Sequence, residues 1–141
     1  MQFAGINYLA VLAGAIASFM FGGVWYKFLA KPWMAAAGLT EDVINASQKR
    51  GAATYLMALA FVAQLIMAIV LAGLIGHLGN DQVTLRNGII SALFVWAGFV
   101  ITAIAVNHSF QMRLGTLTLI DGGHWLGVLL IQGALIGLVG V

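Results

Sequence analysis

The sequence predicts an all-α integral membrane protein, a bundle of four transmembrane helices with a short surface helix in its first loop. Three observations carry that expectation. Of 141 residues, 62% are hydrophobic and only 7% charged, with a mean hydropathy of +1.04, whereas a soluble domain carries roughly a quarter charged residues. Four stretches, about 3–26, 52–76, 88–106 and 122–141, contain no Asp, Glu, Lys or Arg, and each can cross a hydrocarbon core of about 30 Å at about 1.5 Å per residue. The charged residues and the single proline fall between those stretches.

The first span, 3–26, is expected to be a permanent helix. Met1 and Gln2 bring no basic side chain, and the run ends in Trp25-Tyr26-Lys27 rather than in a small-residue cleavage site. Ala10, Gly14, Ser18 and Gly22 recur every four positions and line one face where another backbone can come close. That face predicts a helix contact inside the bundle, with a homo-oligomer seam as the alternative. The first loop then reads as two short pieces. Pro32 suits a helix start and Gly38 the left-handed residue past a helix end. Thr40 is placed to cap a second piece, with Glu41 and Asp42 in its first turn and Lys49 and Arg50 at its end.

In the second span Gln64 shares a face with Ala60, Ala68, Ala72 and Gly76, which predicts an amide held between helices; Leu71, off that face, is expected to meet lipid. The third span, 88–106, contains Trp96, Gly98 and Thr102, and Asn107-His108 mark its end. Ser109 to Ile120 carries Arg113 and is too short to cross, so it is expected to be extended or to lie in the interface. Asp121 is then placed to cap the last span, stapled by Ile120 and Trp125, and to neutralise Arg113. Gly123 with Gly127, and Gly133 with Gly137, predict two more close contacts.

Lys27, Lys31, Lys49, Arg50 and Arg113 fall in the first and third loops, against Arg86 alone in the second. Under the positive-inside rule the first and third loops are cytoplasmic and both termini outside, in a cell inner (plasma) membrane. Trp25, Tyr26, Trp33 and Trp125 are expected as interface anchors in the lipid bilayer. Six Lys/Arg are too few and too dispersed for a nucleic-acid footprint.

The candidate polar pocket is Asn107, His108, Arg113, Asp121 and His124, at one end of the third and fourth spans. Asp121 and His124 are three apart and share a helix face, an arrangement that can orient an imidazole as a base or relay protons. Two such ligands do not make a metal site, and neither metal nor cofactor is expected. No acidic or basic residue lies mid-span, which argues against a proton-coupled pump. Gln64, Thr102 and Gln132 are the intramembrane polar residues that would line a passive channel or carrier. Without cysteine, a phosphate loop or a nucleophile elbow, no residue is nominated as catalytic. A purely structural role, a passive channel or carrier for a small solute, and a small membrane enzyme or lipid-binding protein with a cytoplasmic-side pocket all stay open.

Asn7 with YLAVL, GGVWYKFLAKPWMAAAGLTED from Gly22 to Asp42, WAGF at Trp96 to Phe99, Asn107 with Phe110 and Arg113, and LIDGGHW from Leu119 running into GALIG cover nearly the whole chain. Together they resemble the small bacterial membrane proteins grouped as domain of unknown function seventeen-sixty-one. The resemblance implies a four-helix inner-membrane protein and brings no established activity or catalytic residues. The family pattern places an aromatic where His124 stands and a histidine where this chain has Trp125, which speaks against a fixed catalytic role for His124.

Overall fold

The structure, a computed structural model, describes residues 6–140; the parts of the first and last expected spans at 3–5 and 141 lie outside them. Helix α1 (Tyr8–Phe28) is capped by Asn7, whose side chain accepts from the Leu9 and Ala10 amides at 3.1 and 3.2 Å. Helix α2 (Ala30–Ala37) follows after a break at Leu29 and stops at Gly38, whose φ of 69° suits glycine. Helix α3 (Glu41–Lys49) starts at Thr40, which accepts from the Val43 amide at 3.4 Å. Helix α4 (Ala52–Gly76) has the bounds the sequence predicts. Helix α5 (Leu85–Val95) runs through a π turn (Trp96–Val100) into α6 (Ile101–Phe110), and α7 (Gly115–Val139) closes the chain. Four helical rods, Tyr8–Phe28, Ala52–Gly76, Leu85–Phe110 and Gly115–Val139, are long and apolar enough to cross a membrane. Among the described residues there is no strand.

The bounds of the first, third and last rods differ from those expected, α1 running Tyr8–Phe28 where 3–26 is expected. The third rod starts at Leu85, because Thr84 caps it through the Asn87 amide at 3.2 Å, and it continues to Phe110. Ser109 to Ile120 is not extended. It is the end of α6, a tight turn, and the opening of α7. That turn is a left-handed helix stop at Met112 (φ 54°), with the Met112 amide on the Ser109 carbonyl at 3.1 Å and the Arg113 amide on the His108 carbonyl at 2.9 Å. The last rod therefore starts at Gly115 rather than after Asp121.

Helix α7 is the hub, packed against α1, α2, α4, α5 and α6, while α4 also lies along α1. Its closest approach is to α5, where Gly133 and Gly88 meet backbone to backbone and Gly137 lies against the Thr84 carbonyl. Without side chains at these positions the rods touch, which is how helices gain dispersion energy in lipid, where hydrophobic drive is absent. The Ala10–Gly14–Ser18–Gly22 face is wholly buried, and Gly123 and Gly127 receive the rings of Trp25 and Phe21. These small-residue faces are thus occupied within the chain. Leu71 corrects the expectation that it meets lipid: it is 2% exposed, in a core with Val11, Ile75, Leu129 and Ile136. Because α4 faces both α1 and α7, its buried arc is wider than the small-residue stripe and takes in Leu71 beside Ala72.

Candidate functional site

The break at Leu29 folds α2 back over the start of α7, and the last turn of α1 ends beside it. Into this corner α7 brings Asp121, six residues past its start and so about 9 Å along the axis. Asp121 is therefore not the helix cap. Its Oδ1 accepts from the Tyr26 hydroxyl at 2.7 Å and from the Trp33 indole N–H at 3.1 Å. Its Oδ2 faces His108 Nε2 at 3.6 Å, and His108 Nδ1 lies 3.1 Å from the Thr118 hydroxyl. The side chains of His108 and Asp121 are 15% and 20% exposed. Three helices thus bring groups to one partly accessible carboxylate on a fourth, and two fixed donors hold one of its oxygens in place.

Arg113 does not pair with Asp121. It donates from Nη1 to the Ala37 carbonyl at 2.6 Å, reaching the C-terminal end of α2 over Gly38, where a side chain would stand 2.9 Å from that nitrogen. A cation at a helix C-terminus is a favourable alternative to the expected ion pair. Asn107 is exposed on α6. Of the five expected pocket residues the structure joins His108 to Asp121 and sets His124 beside them, but leaves Asn107 and Arg113 outside.

His124 is 5% exposed. Its ring packs among Phe21, Tyr26 and Trp125, with Nε2 lodged against Gly22 and Nδ1 without a hydrogen-bond partner. The neighbouring indoles turn their polar ends inward: Trp25 donates to the Ile120 carbonyl at 3.0 Å and Trp96 to the Gly122 carbonyl at 2.8 Å. Because a helical carbonyl keeps a second lone pair, these bonds fix α1 and the π turn to α7 without breaking its ladder.

Deeper in the bundle lies a second polar group, closed on itself except at Gln132 Oε1, which has no hydrogen-bond partner among the described residues. Ser18 donates to Gln64 Oε1 at 2.8 Å, and Gln132 Nε2 donates to the Ser18 hydroxyl at 3.1 Å and the Gln64 carbonyl at 3.0 Å. All three residues are buried. Thr102 takes no part; it bonds back to the Gly98 carbonyl at 3.0 Å on an exposed face. A cavity of about 210 Å³ beside the core, between α4, the π turn and α7, has apolar walls that include Met67, Leu71, Val95 and Leu129.

The sequence does not mark Tyr26 as a carboxylate partner or Thr118 as part of the site, and it offers Ser18 only as a small residue on a packing face. A signal for Thr118 was present. Leu117, Ile120, His124 and Val128, all buried, repeat at helical spacing straight through Asp121, and a helix read from that repeat puts Thr118 and Asp121 on one face.

The sequence model of a family described as protein of unknown function (DUF1761) matches residues 9–137. No curated protein and no solved structure matches the chain.

Proposed function

The chain belongs to that family of unknown function, and we propose that it is a multi-pass protein of a bacterial inner (plasma) membrane that binds the head group of an amphiphile at the Asp121 cluster, on the cytoplasmic side. The observation that carries this reading is the carboxylate itself. Asp121 lies within α7, a helix long and apolar enough to cross a membrane, where a charge would be costly, and it is held by Tyr26 and Trp33 with His108 facing its free oxygen. Exposed Lys27 and Lys31 flank the corner, and exposed Phe28, Phe110 and Leu114 carry apolar surface up to it. An amphiphile presents that same succession of apolar tail and polar head.

The channel reading has less support. Gln64 and Gln132, which would line a path, are bonded to each other and to Ser18, and neither lines the apolar cavity between α4, the π turn and α7. Cytoplasmic placement of the cluster is supported by the five basic residues on its side, against Arg86 on the other.

The test is extraction of the protein with its surrounding lipid, followed by mass spectrometry of retained small molecules, for wild type, Asp121→Asn and Asp121→Leu. Wild type should enrich one amphiphile class over the bulk membrane. Asn keeps the acceptor for Tyr26 and Trp33 but not the charge, so that enrichment should fall in Asn and vanish in Leu. Identical profiles for all three folded proteins, matching the bulk lipid, would end the proposal.

A further inference from the structure

We infer that Thr118, His108 and Asp121 form a hydroxyl–imidazole–carboxylate relay, with Thr118 the nucleophile for hydrolysis of an ester-linked amphiphile. The inference rests on the head-group reading above and deepens it by naming the substrate class and the chemistry.

The geometry is that of an activated nucleophile: a hydroxyl within hydrogen-bond reach of a base, and the base oriented by a third group. Thr118 Oγ is 3.1 Å from His108 Nδ1, and the other ring nitrogen faces Asp121 Oδ2 at 3.6 Å. Asp121 is an acceptor here, since Tyr26 and Trp33 both donate to it. In the relay, a neutral His108 with its proton on Nε2, toward the carboxylate, leaves the Nδ1 lone pair for the Thr118 O–H. The relay joins two elements, α6 and α7, across the turn at Met112, and each of its three residues is partly accessible. A purely structural role explains the pattern less well. A threonine on a helix can satisfy its hydroxyl on its own backbone, as Thr102 does through the Gly98 carbonyl, and neither Tyr26 nor Trp33 needs a carboxylate that also faces an imidazole.

The step balances with water as the co-reactant. Thr118 Oγ bonds to the ester carbonyl carbon as its proton passes to His108 Nδ1. The bond from that carbon to the alcohol oxygen breaks, and the alcohol leaves with the proton from His108. Water then attacks the acyl-threonine by the same route, releasing the carboxylic acid and restoring the Thr118 hydroxyl. Thr118 stands in the first turn of α7, whose N-cap Leu114 makes no side-chain hydrogen bond, and the Gly115 and Thr116 amides of that turn are the donors this scheme offers to negative charge developing on the carbonyl oxygen. In this scheme Thr118 and His108 are catalytic residues and Asp121 is a positioning residue.

The probe is an alkyl fluorophosphonate carrying a fluorescent tag, applied to the purified full chain in micelles, with peptide mapping of the adduct. Wild type should be labelled at Thr118 with loss of fluoride. Thr118→Val, which keeps the side-chain shape, should abolish labelling, and Thr118→Ser should restore it. His108→Gln should slow it by roughly 10²- to 10⁴-fold, the range for loss of a general base. Asp121→Asn should slow it as well, while melting as wild type does. A folded wild type that retains its amphiphile yet takes no label, or label undiminished in Thr118→Val, would overturn the nucleophile while leaving the binding site standing. Label at Thr118 in a protein that enriches no amphiphile would do the reverse.

Discussion

Adding one methyl group at Gly133 should cost far more than adding one at Gly14, although both glycines lie on small-residue faces. At Gly133 a Cβ would fall inside the Gly88 carbonyl, with the Gly88 carbonyl carbon at 3.0 Å and the Ala92 Cβ at 3.2 Å. Two of those three atoms are backbone, so the relief must come from the helices rather than from a rotamer. Restoring ordinary contact at about 3.5 Å requires α5 and α7 to part locally by roughly 1 Å, a gap that already forfeits a quarter to a half of each contact's attraction. The pair is the most extensive in the bundle, and overpacking of this kind costs about 1–3 kcal/mol. At Gly14 the added Cβ would lie 3.5 Å from Gln132 Cα and 3.6 Å from its Cγ, which is ordinary contact. Alanine is also the better helix former by about 0.8–1.0 kcal/mol in water. Gly133→Ala should therefore melt well below wild type in a mild detergent, followed by circular dichroism, and Gly14→Ala at or above it. Equal shifts for the two variants would show that the α5–α7 contact is not as close as described, and the packing argument would fail with it.

Met112 is 89% exposed and left-handed, so Met112→Gly should relieve a conformational cost of about 1 kcal/mol without losing contacts and should raise the melting temperature; a lower one would mean that the methionine packs where it is described as exposed. Orientation is open to cysteine labelling, because the chain has none of its own. An impermeant reagent on intact cells should reach a cysteine at Gln82 but not one at Gln48, and the opposite pattern would invert the assigned sides.

What the sequence shows and what it hides differ by a physical rule. Helix ends built on residues with a strong local preference are legible: Thr40 as a cap and Gly38 as a left-handed stop are both where the residue types place them. The end of α6 uses the same left-handed stop but builds it on methionine. No glycine or asparagine marks the reversal, so the amphipathic stretch after it reads as extended and the last helix reads as beginning late. That one hidden turn carries the errors at the candidate site. It makes Asp121 look like a cap, leaves Thr118 outside the helix, and aims Arg113 at Asp121 rather than at the Ala37 carbonyl. The buried faces were easier, because lipid supplies no hydrophobic contrast and small residues alone permit close approach. Ala10, Gly14, Ser18 and Gly22 on α1, and Gly133 and Gly137 on α7, could be placed on contacts from spacing alone. Leu71 could not, since in a uniformly apolar helix nothing in the residue type separates a neighbour's side from lipid's.

The π turn explains how one rod serves both the packed seam and the polar corner. At about 100° per residue, a regular helix that faced α7 with Gly88 would point His108, twenty residues on, about 160° away. The turn at Trp96–Val100, where the Ile101 amide reaches the Trp96 carbonyl five residues back, absorbs one residue, and His108 swings to about 100°, close to the direction of about 80° from which Trp96 donates to Gly122. His108 can then reach Thr118 and Asp121. Removing Gly98, which is exposed and has open space around it, should let the π turn relax to an α-helix with the residues on both sides still facing α7; stability and labelling at Thr118 should survive. Removing Ile90 shortens the rod by the same one residue, but it either turns Ala92, Val95 and Trp96 off α7 or, if the π turn persists, turns His108 off it. That variant should lose stability or labelling. If loss of Gly98 proves as harmful as loss of Ile90, the π turn is not the device that sets His108 in register.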